Sequence, residues 1–302
     1  MRILVTGHEG FLGRFVMEKL LEDNEVSGLD MSEVDLKDKN RTLTKLASFK
    51  PDAVVHLAAK AGATGKGGGA ESRSDPFPFL SNNVNATLNV LEAMRIEGVT
   101  KFVYVSSFSV YGKDPVCPIN EFTFQNPNNA YGLSKAIGEQ MVKLYSQFRI
   151  RSIVLRPTLL CGESQKEVNS LREFVIAALE GQPIEIWGEG LHKREYIHPI
   201  DAANAIELAL KYFSRMKEPV ETFVLGNEPI SMIDLARLVI ARIPSGRIEF
   251  KPPGPQAFNQ TTDHSKAETV LGWRPKIGVE EIVRRVMEDI KPSAQVNAGW
   301  EI

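Results

Sequence analysis

The chain has 302 residues, 43% of them hydrophobic and 25% charged; this is ordinary globular composition and excludes collagen-like, mucin-like and disordered classes. Its 36 Lys and Arg against 38 Asp and Glu leave a formal net charge of -2, without the basic stripe of a nucleic-acid binder. Two cysteines, Cys117 and Cys161, make neither a disulfide framework nor a zinc cluster, and no apolar run reaches the ~18 residues of a membrane span. The first apolar run, Ile3 to Val5, is shorter than the roughly 7–15 residues of a secretory core. The reading is a cytoplasmic protein of a reducing compartment, with no membrane and no nucleic-acid partner.

The run 2–6 predicts a strand. It leads directly into Thr6-Gly7-His8-Glu9-Gly10-Phe11-Leu12-Gly13 and then an amphipathic helix over 11–21. In this G-x-x-G-x-x-G spacing Gly7 permits the tight strand-to-helix turn, Gly10 lets backbone approach a pyrophosphate, and Gly13 lets the helix sit close on the strand. The helix N-terminus offers free N–H groups and a positive dipole end to the anion. A second strand, 25–29, ends at Asp30, where an acid can accept hydrogen bonds from an adenosine ribose and repel a 2′-phosphate. Glu9 adds a second negative charge, so NAD is expected over NADP; the alternative for Asp30 is an acid that merely opens a loop.

A third strand, 53–57, is followed by residues 62–69, five glycines in eight. The spacing is not a Walker A loop, because Lys60 stands where its first glycine belongs and Gly67 where Ser or Thr must bind magnesium. It predicts a flexible surface loop, with a mobile lid over the substrate as the alternative. Leu80, Val84, Leu88 and Leu91 then mark one face of a helix. A fourth strand, 101–105, ends in Ser106-Ser107-Phe108-Ser109-Val110-Tyr111-Gly112, and Tyr131-Gly132-Leu133-Ser134-Lys135 opens another helix. Tyr131 and Lys135, i and i+4, share a helical face. A tyrosine working as a base near neutrality needs roughly 4 kcal/mol of preferential phenolate stabilisation, for which a Lys ammonium and a positive nicotinamide are suitable partners. Ser107 can hydrogen-bond the substrate oxygen that exchanges the proton. Such a Tyr-Lys pair also arises by chance on amphipathic helices, so it gains meaning only beside the glycine turn, Asp30 and the serines.

A fifth strand, 152–156, closes the regular alternation, which implies an α/β doubly wound parallel sheet of Rossmann type. Beyond it prolines gather and loops lengthen. We expect a dinucleotide-binding domain over 1–160, rejoined by about 195–225, and a smaller mixed substrate lobe from 161–194 and 226–302. Cys161 reads as a packed thiol and His56 as a core or cofactor-wall residue. His192 and His198 lack a third ligand, so no metal is expected. Asp201 reads as the N-cap of the next helix.

With these residues in view, the chain resembles the extended short-chain dehydrogenase/reductases, the NAD-dependent epimerase/dehydratase group that acts mostly on nucleotide sugars. The likeness runs through residues 6–13, Asp30, Asp35-Leu36, 56–59, 82–87, 106–112, 131–135, 156–162, 187–201 and 271–275. It implies that Phe11 and Leu12 lie along the pyrophosphate, that Asp35 and Leu36 flank the adenine, and that Ala58, Ala59, Lys60, Asn85 and Val105 line the cofactor with Tyr131 and Lys135. Pro157 would abut the nicotinamide. Ser107, Ser109 and Thr158 would face the substrate, and Arg194 would grip its nucleotide phosphate; a structural ion pair is the alternative for Arg194. A homodimer through helices at about 80–97 and 131–147 is implied as well.

Departures from relatives narrow the chemistry. The Asp-Glu pair of 4,6-dehydratases is replaced by Phe108 and Ser109, and Ser109 also stands where sugar-acid decarboxylases carry Glu and fucose synthases Cys. The stretch 163–191 has no His. A common Asn is missing where Leu159 or Leu160 stands, and so is a common Arg near Asn259. The short stretch between Asp30 and Asp35 is similar to that of dTDP-4-dehydrorhamnose reductases and fucose synthases more than to that of the galactose epimerases. The expected function is an NAD-dependent nucleotide-sugar 4-epimerase with Ser107, Tyr131 and Lys135 as catalytic set. An NAD(P)H-dependent reductase of a 4-keto sugar or small ketone and a non-catalytic NAD sensor are the alternatives.

Overall fold

The structure, a computed structural model, describes residues 1–61, 74–254 and 258–295; the glycine-rich stretch 62–69 lies outside the described residues. Six strands among them form one parallel sheet: β1 (Arg2–Thr6), β2 (Glu25–Leu29), β3 (Ala53–His56), β4 (Lys101–Val105), β5 (Arg151–Pro157) and, after four strands outside it, β10 (Val220–Leu225). Their order is β10-β5-β4-β3-β1-β2. The chain leaves β1 toward β2, then crosses back to lay β3 on the other side of β1. This reversal opens a crevice at the carboxyl ends of β1 and β3, where doubly wound sheets bind ligands.

Strands covered on both faces read as continuous apolar runs, and β1 divides its residues accordingly. Ile3 and Val5 join the core under α1 (Phe11–Leu21) and α6 (Pro199–Tyr212), with Val16, Leu20, Ile206 and Phe223. Leu4 faces the core on the other side, with Val90, Met94, Phe102 and Val142, beneath α2 (Lys39–Phe49), α3 (Phe77–Glu97) and α4 (Ala130–Tyr145). The buried stripe of α3 is Phe79, Asn83, Ala86, Thr87, Val90, Leu91 and Met94. The expected Leu80-Val84-Leu88-Leu91 face is only its edge: Leu88 is exposed and Leu80 and Val84 are half-buried.

The remaining elements build a third core. The helices α5 (Ser170–Leu179), α7 (Met232–Arg242) and α8 (Val279–Gln295) pack on the parallel pair β7 (Pro183–Trp187) and β12 (Arg247–Lys251), burying Leu171, Val175, Ile184, Ile186, Val239 and Val283. The pairs β6 (Leu159–Leu160) with β9 (Tyr196–Ile197), and β8 (Lys193–Arg194) with β11 (Ile230–Ser231), lie between this core and the sheet in sequence.

Asp201 does not cap α6. His198 does, its ring nitrogen accepting from the Ile200 amide at 3.2 Å, with Pro199 as the first helical residue. Asp201 is buried one turn in, where its Oδ2 accepts from the Lys276 and Ile277 amides at 3.0 and 2.9 Å. Its carbonyl accepts from the indole of the buried Trp273. The acid thus ties α6 to the chain 72–76 residues on, a partner that local spacing cannot reveal. Asp201→Ala removes two part-buried hydrogen bonds to a carboxylate, each worth about 1–2 kcal/mol. Urea unfolding should register a loss of about 2–4 kcal/mol; a loss below about 0.5 kcal/mol would refute this reading.

Candidate active site

A cleft of about 1290 Å³ runs along the carboxyl ends of β1, β3, β4 and β5. It exceeds the roughly 1,000 Å³ upper range for single-ligand pockets, so it has room for a cofactor and a substrate together.

One half is built around the glycine turn. Gly7 has φ +75°, and its amide bonds the end of β2 at Leu29 (2.8 Å). A Cβ on Gly13 would stand 2.1 Å from the Gly7 carbonyl, so only glycine allows α1 to begin this close to β1. Gly10 is the N-cap of α1 and supplies no side-chain cap, so the first N–H groups of the helix keep their bonding capacity for an anion. Gly7, Gly10, Phe11, Leu12 and Gly13 all line the cleft. Asp30 is fixed at its rim, with Oδ2 accepting from the Glu9 amide (3.1 Å) and Oδ1 from the Met31 amide (2.7 Å). The Glu9 carboxylate accepts from Ser32 at 3.0 Å. Two carboxylates with no salt-bridge partner among the described residues suit a ribose diol and oppose a 2′-phosphate. Asp35, Leu36, Ala58, Ala59, Lys60, Val105 and Pro157 line the same wall. This cradle fits an extended dinucleotide.

Asn85 does not belong to that wall. It is exposed, and its amide is turned to the Ser81 carbonyl at 2.7 Å. At about 100° per residue it lies some 200° around α3 from Asn83. Asn82 and Asn83 line the cleft instead. Asn83, buried, accepts from the Lys60 amide (2.7 Å) and donates to the Lys60 carbonyl (3.1 Å) and to Ser134 (2.9 Å). It braces the loop after β3 against α4. The helical register of its buried neighbours was the available clue to it.

The chemistry-bearing side chains meet at the end of β4. Asn129 caps α4 by accepting from the Gly132 amide (2.8 Å). A Cβ on Gly132 would stand 2.4 Å from the Ser109 carbonyl, so glycine lets α4 start against the serine turn. Ser107 caps the short helical turn 108–111, accepting from the Ser109 amide (3.1 Å) and donating to the Ser109 hydroxyl (3.2 Å). Ser107, Ser109, Tyr131 and Lys135 all line the cleft. The Lys135 ammonium donates to the Val105 carbonyl (2.8 Å), 5.1 Å above the Tyr104 ring and 5.9 Å from the Tyr131 ring centre.

The electrostatics differ from expectation at one point. Burial is the larger influence on the Tyr131 phenol and pushes it above the ordinary tyrosine range, while its hydrogen bond with Ser107 pulls it down. Lys135 is not among the influences that lower it here; its ammonium donates to Val105. Burial brings Lys135 itself down to about 8, against the upward pull of Glu139. His56, buried beneath and bonded to Thr6 (2.7 Å) and Thr87 (3.1 Å), is held down to about 3 by burial and then by Lys135.

Substrate-side residues reach the cleft from β5 onward. The Thr158 hydroxyl is buried and has no hydrogen-bond partner among the described residues. Arg194 is buried, its guanidinium 5.0 Å over the Phe258 ring and donating to the carbonyls of Lys193 and Phe258; these described partners are carbonyls, not a carboxylate. Glu195, the next residue, instead accepts from the Thr262 amide and hydroxyl at 2.7 Å, and burial pushes its carboxyl up to about 7. It straps the segment carrying Phe258 and Gln260, both in the cleft wall. That strap crosses 67 residues of sequence and had no local signal. Cys161 is fully buried and pushed up to about 12 by burial, a packed thiol.

A model of the NAD dependent epimerase/dehydratase family matches residues 3–226. A Methanocaldococcus jannaschii protein provisionally named UDP-glucose 4-epimerase is 31% identical, over 96% of this chain and 98% of its own. A UDP-glucose 4-epimerase of Thermotoga maritima, solved with UDP-glucose, superposes with a TM-score of 0.86 at 26% identity, covering 97% of this chain and 100% of that one. The UDP-glucose 4-epimerase of Thermus thermophilus, solved with NAD, gives 0.82 at 27% identity, over 96% and 99%. Among the described residues, no helix is long and apolar enough to cross a membrane and no cluster of His, Cys, Asp and Glu is arranged to hold a metal ion.

Lys135 makes a pH prediction. Its folded pKa, about 8, lies below the ordinary 10.5, so between pH ~8 and ~10 the unfolded chain keeps a proton that the folded chain has released. Stability contributed at this site therefore rises with pH. Relative to Lys135→Met, the wild type should gain about 2–3 kcal/mol across that window in urea unfolding. A difference between the two proteins that does not change with pH contradicts the burial of this charge.

Proposed function

The chain belongs to the NAD dependent epimerase/dehydratase family, and from that membership we propose that it is an NAD-dependent nucleotide-sugar 4-epimerase acting on a UDP-hexose. The observation that carries this reading is the meeting of Ser107, Tyr131 and Lys135 at one end of a cleft whose other end is the glycine turn, with Phe108 and Ser109 in the positions where eliminating relatives carry acids. The relatives named as UDP-glucose 4-epimerases support the substrate class.

Bound NAD supplies the reversible two-electron acceptor that inversion at a secondary alcohol carbon requires. The chain's own residues do the rest. Gly10, Phe11 and Leu12 hold the pyrophosphate through backbone N–H groups, and Asp30 takes the ribose hydroxyls. Tyr131, as phenolate, accepts the proton of the sugar hydroxyl at the reacting carbon and later returns it. Ser107 hydrogen-bonds the same oxygen. Burial holds the proton on Tyr131, and a cationic cofactor ring near the phenol would favour its release. Arg194 pairs with the substrate diphosphate, for which a guanidinium fork is suited, and the Thr158 hydroxyl takes a substrate oxygen. The region 161–194 with 226–302 serves as the substrate lobe, against a dinucleotide-binding domain of 1–160 rejoined by 195–225. The exposed Leu88, Ile96, Leu133, Leu144 and Phe148 of α3, α4 and the turn after it pack against the same helices of a second copy in an isologous homodimer.

The test is to incubate purified protein with UDP-glucose or UDP-galactose without added cofactor. The two should interconvert with no net change in reduced-nicotinamide absorbance, and Tyr131→Phe should lower kcat roughly 100- to 10,000-fold while NAD stays bound. Turnover of a keto sugar only with added NAD(P)H, or no action on either UDP-hexose, overturns the proposal.

A further inference from the structure

Behind the site, one turn along α4 from Lys135, is a buried ion pair that the proposed reaction does not use. Glu139 and Arg156 are both almost fully buried. Every acceptor direction of the carboxylate is occupied. Oε1 accepts from Arg156 Nε (2.9 Å) and from the Ser106 hydroxyl (2.5 Å). Oε2 accepts from the second arm of the guanidinium (2.6 Å) and from the Gln125 amide (2.6 Å). The remaining arm of Arg156 donates to the Tyr111 hydroxyl (2.8 Å) and the Glu121 carbonyl (3.2 Å).

Three members of this network lie next in sequence or one helical turn from residues of the site. Ser106 precedes Ser107, Arg156 precedes Pro157 and Thr158, and Glu139 follows Lys135 on one helical face. A bidentate pair has a fixed planar geometry, and breaking one partner of a buried pair leaves an uncompensated charge. We propose that Glu139 and Arg156 are positioning residues, a clamp that holds the Ser106–Ser107 turn and the end of β5 in register with Tyr131 and Lys135 on α4. The catalytic half of this inference rests on the epimerase reading above; the structural half does not.

The carboxylate also acts on Lys135 through space, favouring its charged form against burial. The groups facing that ammonium are Tyr131 and Glu139 from its own helix, Tyr104 from β4 and His56 from β3. Those facing Glu139 are Lys135 from its own helix, Arg156 from β5, Tyr104 from β4, and Tyr111 and Gln125 from the chain between β4 and α4. Glu139→Gln removes the anion and leaves Arg156 positive, so the Lys135 ammonium becomes easier to deprotonate. A packing role alone leaves that titration where it is.

The experiment follows Lys135 by NMR of protein carrying isotope-labelled lysine, with Lys135→Met to assign its signal and no cofactor added. Glu139→Gln should move its titration to lower pH by about half a unit or more. Ser106→Ala, which keeps both charges, should leave the titration unmoved and lower kcat on UDP-glucose about tenfold with KM within about twofold. An unmoved titration in folded Glu139→Gln overturns the inference. If that variant does not fold, an unchanged kcat in Ser106→Ala overturns it. If wild-type protein does not act on UDP-glucose, the epimerase reading fails, while the titration still decides whether the carboxylate governs Lys135.

Discussion

A helix can approach a sheet only as closely as its smallest side chains allow, and everything at this site follows from how closely α4 lies on β4. Glycine at 132 lets its first turn meet the Ser109 backbone, and glycine at 138 lets its middle pass the Tyr104 hydroxyl, which a Cβ would overlap at 2.1 Å. That approach brings the Lys135 ammonium to the last carbonyl of β4. It also brings Tyr131 beside the serine turn, so that a phenol and an ammonium from one helix and a hydroxyl from the end of β4 face one cleft. The strand-order reversal at β1 and β3 supplies the other half of that cleft.

The same closeness determines the electrostatics. Dry surroundings penalise the charged form of each group, and so they lower Lys135 and His56 and raise Tyr131. The Glu139–Arg156 pair beneath is neutral as a unit, and it gives Lys135 a negative neighbour without adding net charge to the interior. Opposed tendencies on adjacent groups are a common feature of sites that move protons.

Much of the frame could be read from the sequence. The bounds of β1, β2 and β4 and of α1 coincide with those expected from apolar runs and the glycine turn, because parallel strands covered on both faces leave a strong compositional trace. β3 stops at His56, one residue early, where the chain turns away with the Leu57 amide still bonded to Thr6. What local reading could not supply was partnership across long separations. Asp201 reads as a cap by its neighbours, yet its carboxylate is claimed by amides at 276 and 277. Asn85 shares a motif with Asn83 but not its helical face. The spacing from Lys135 to Glu139 is visible in the sequence; Arg156 and Ser106 as its partners are not, since only the folded sheet joins them.

The function of this cleft turns on whether a dinucleotide lies across the strand ends with its adenosine ribose on Asp30. The most direct measurement is to denature the purified protein, identify any nucleotide released, and titrate the emptied and refolded chain calorimetrically with NAD and with NADP. Stoichiometric NAD, with NADP bound far more weakly, is the predicted result. Protein that releases no dinucleotide and shows no heat with either cofactor would contradict it.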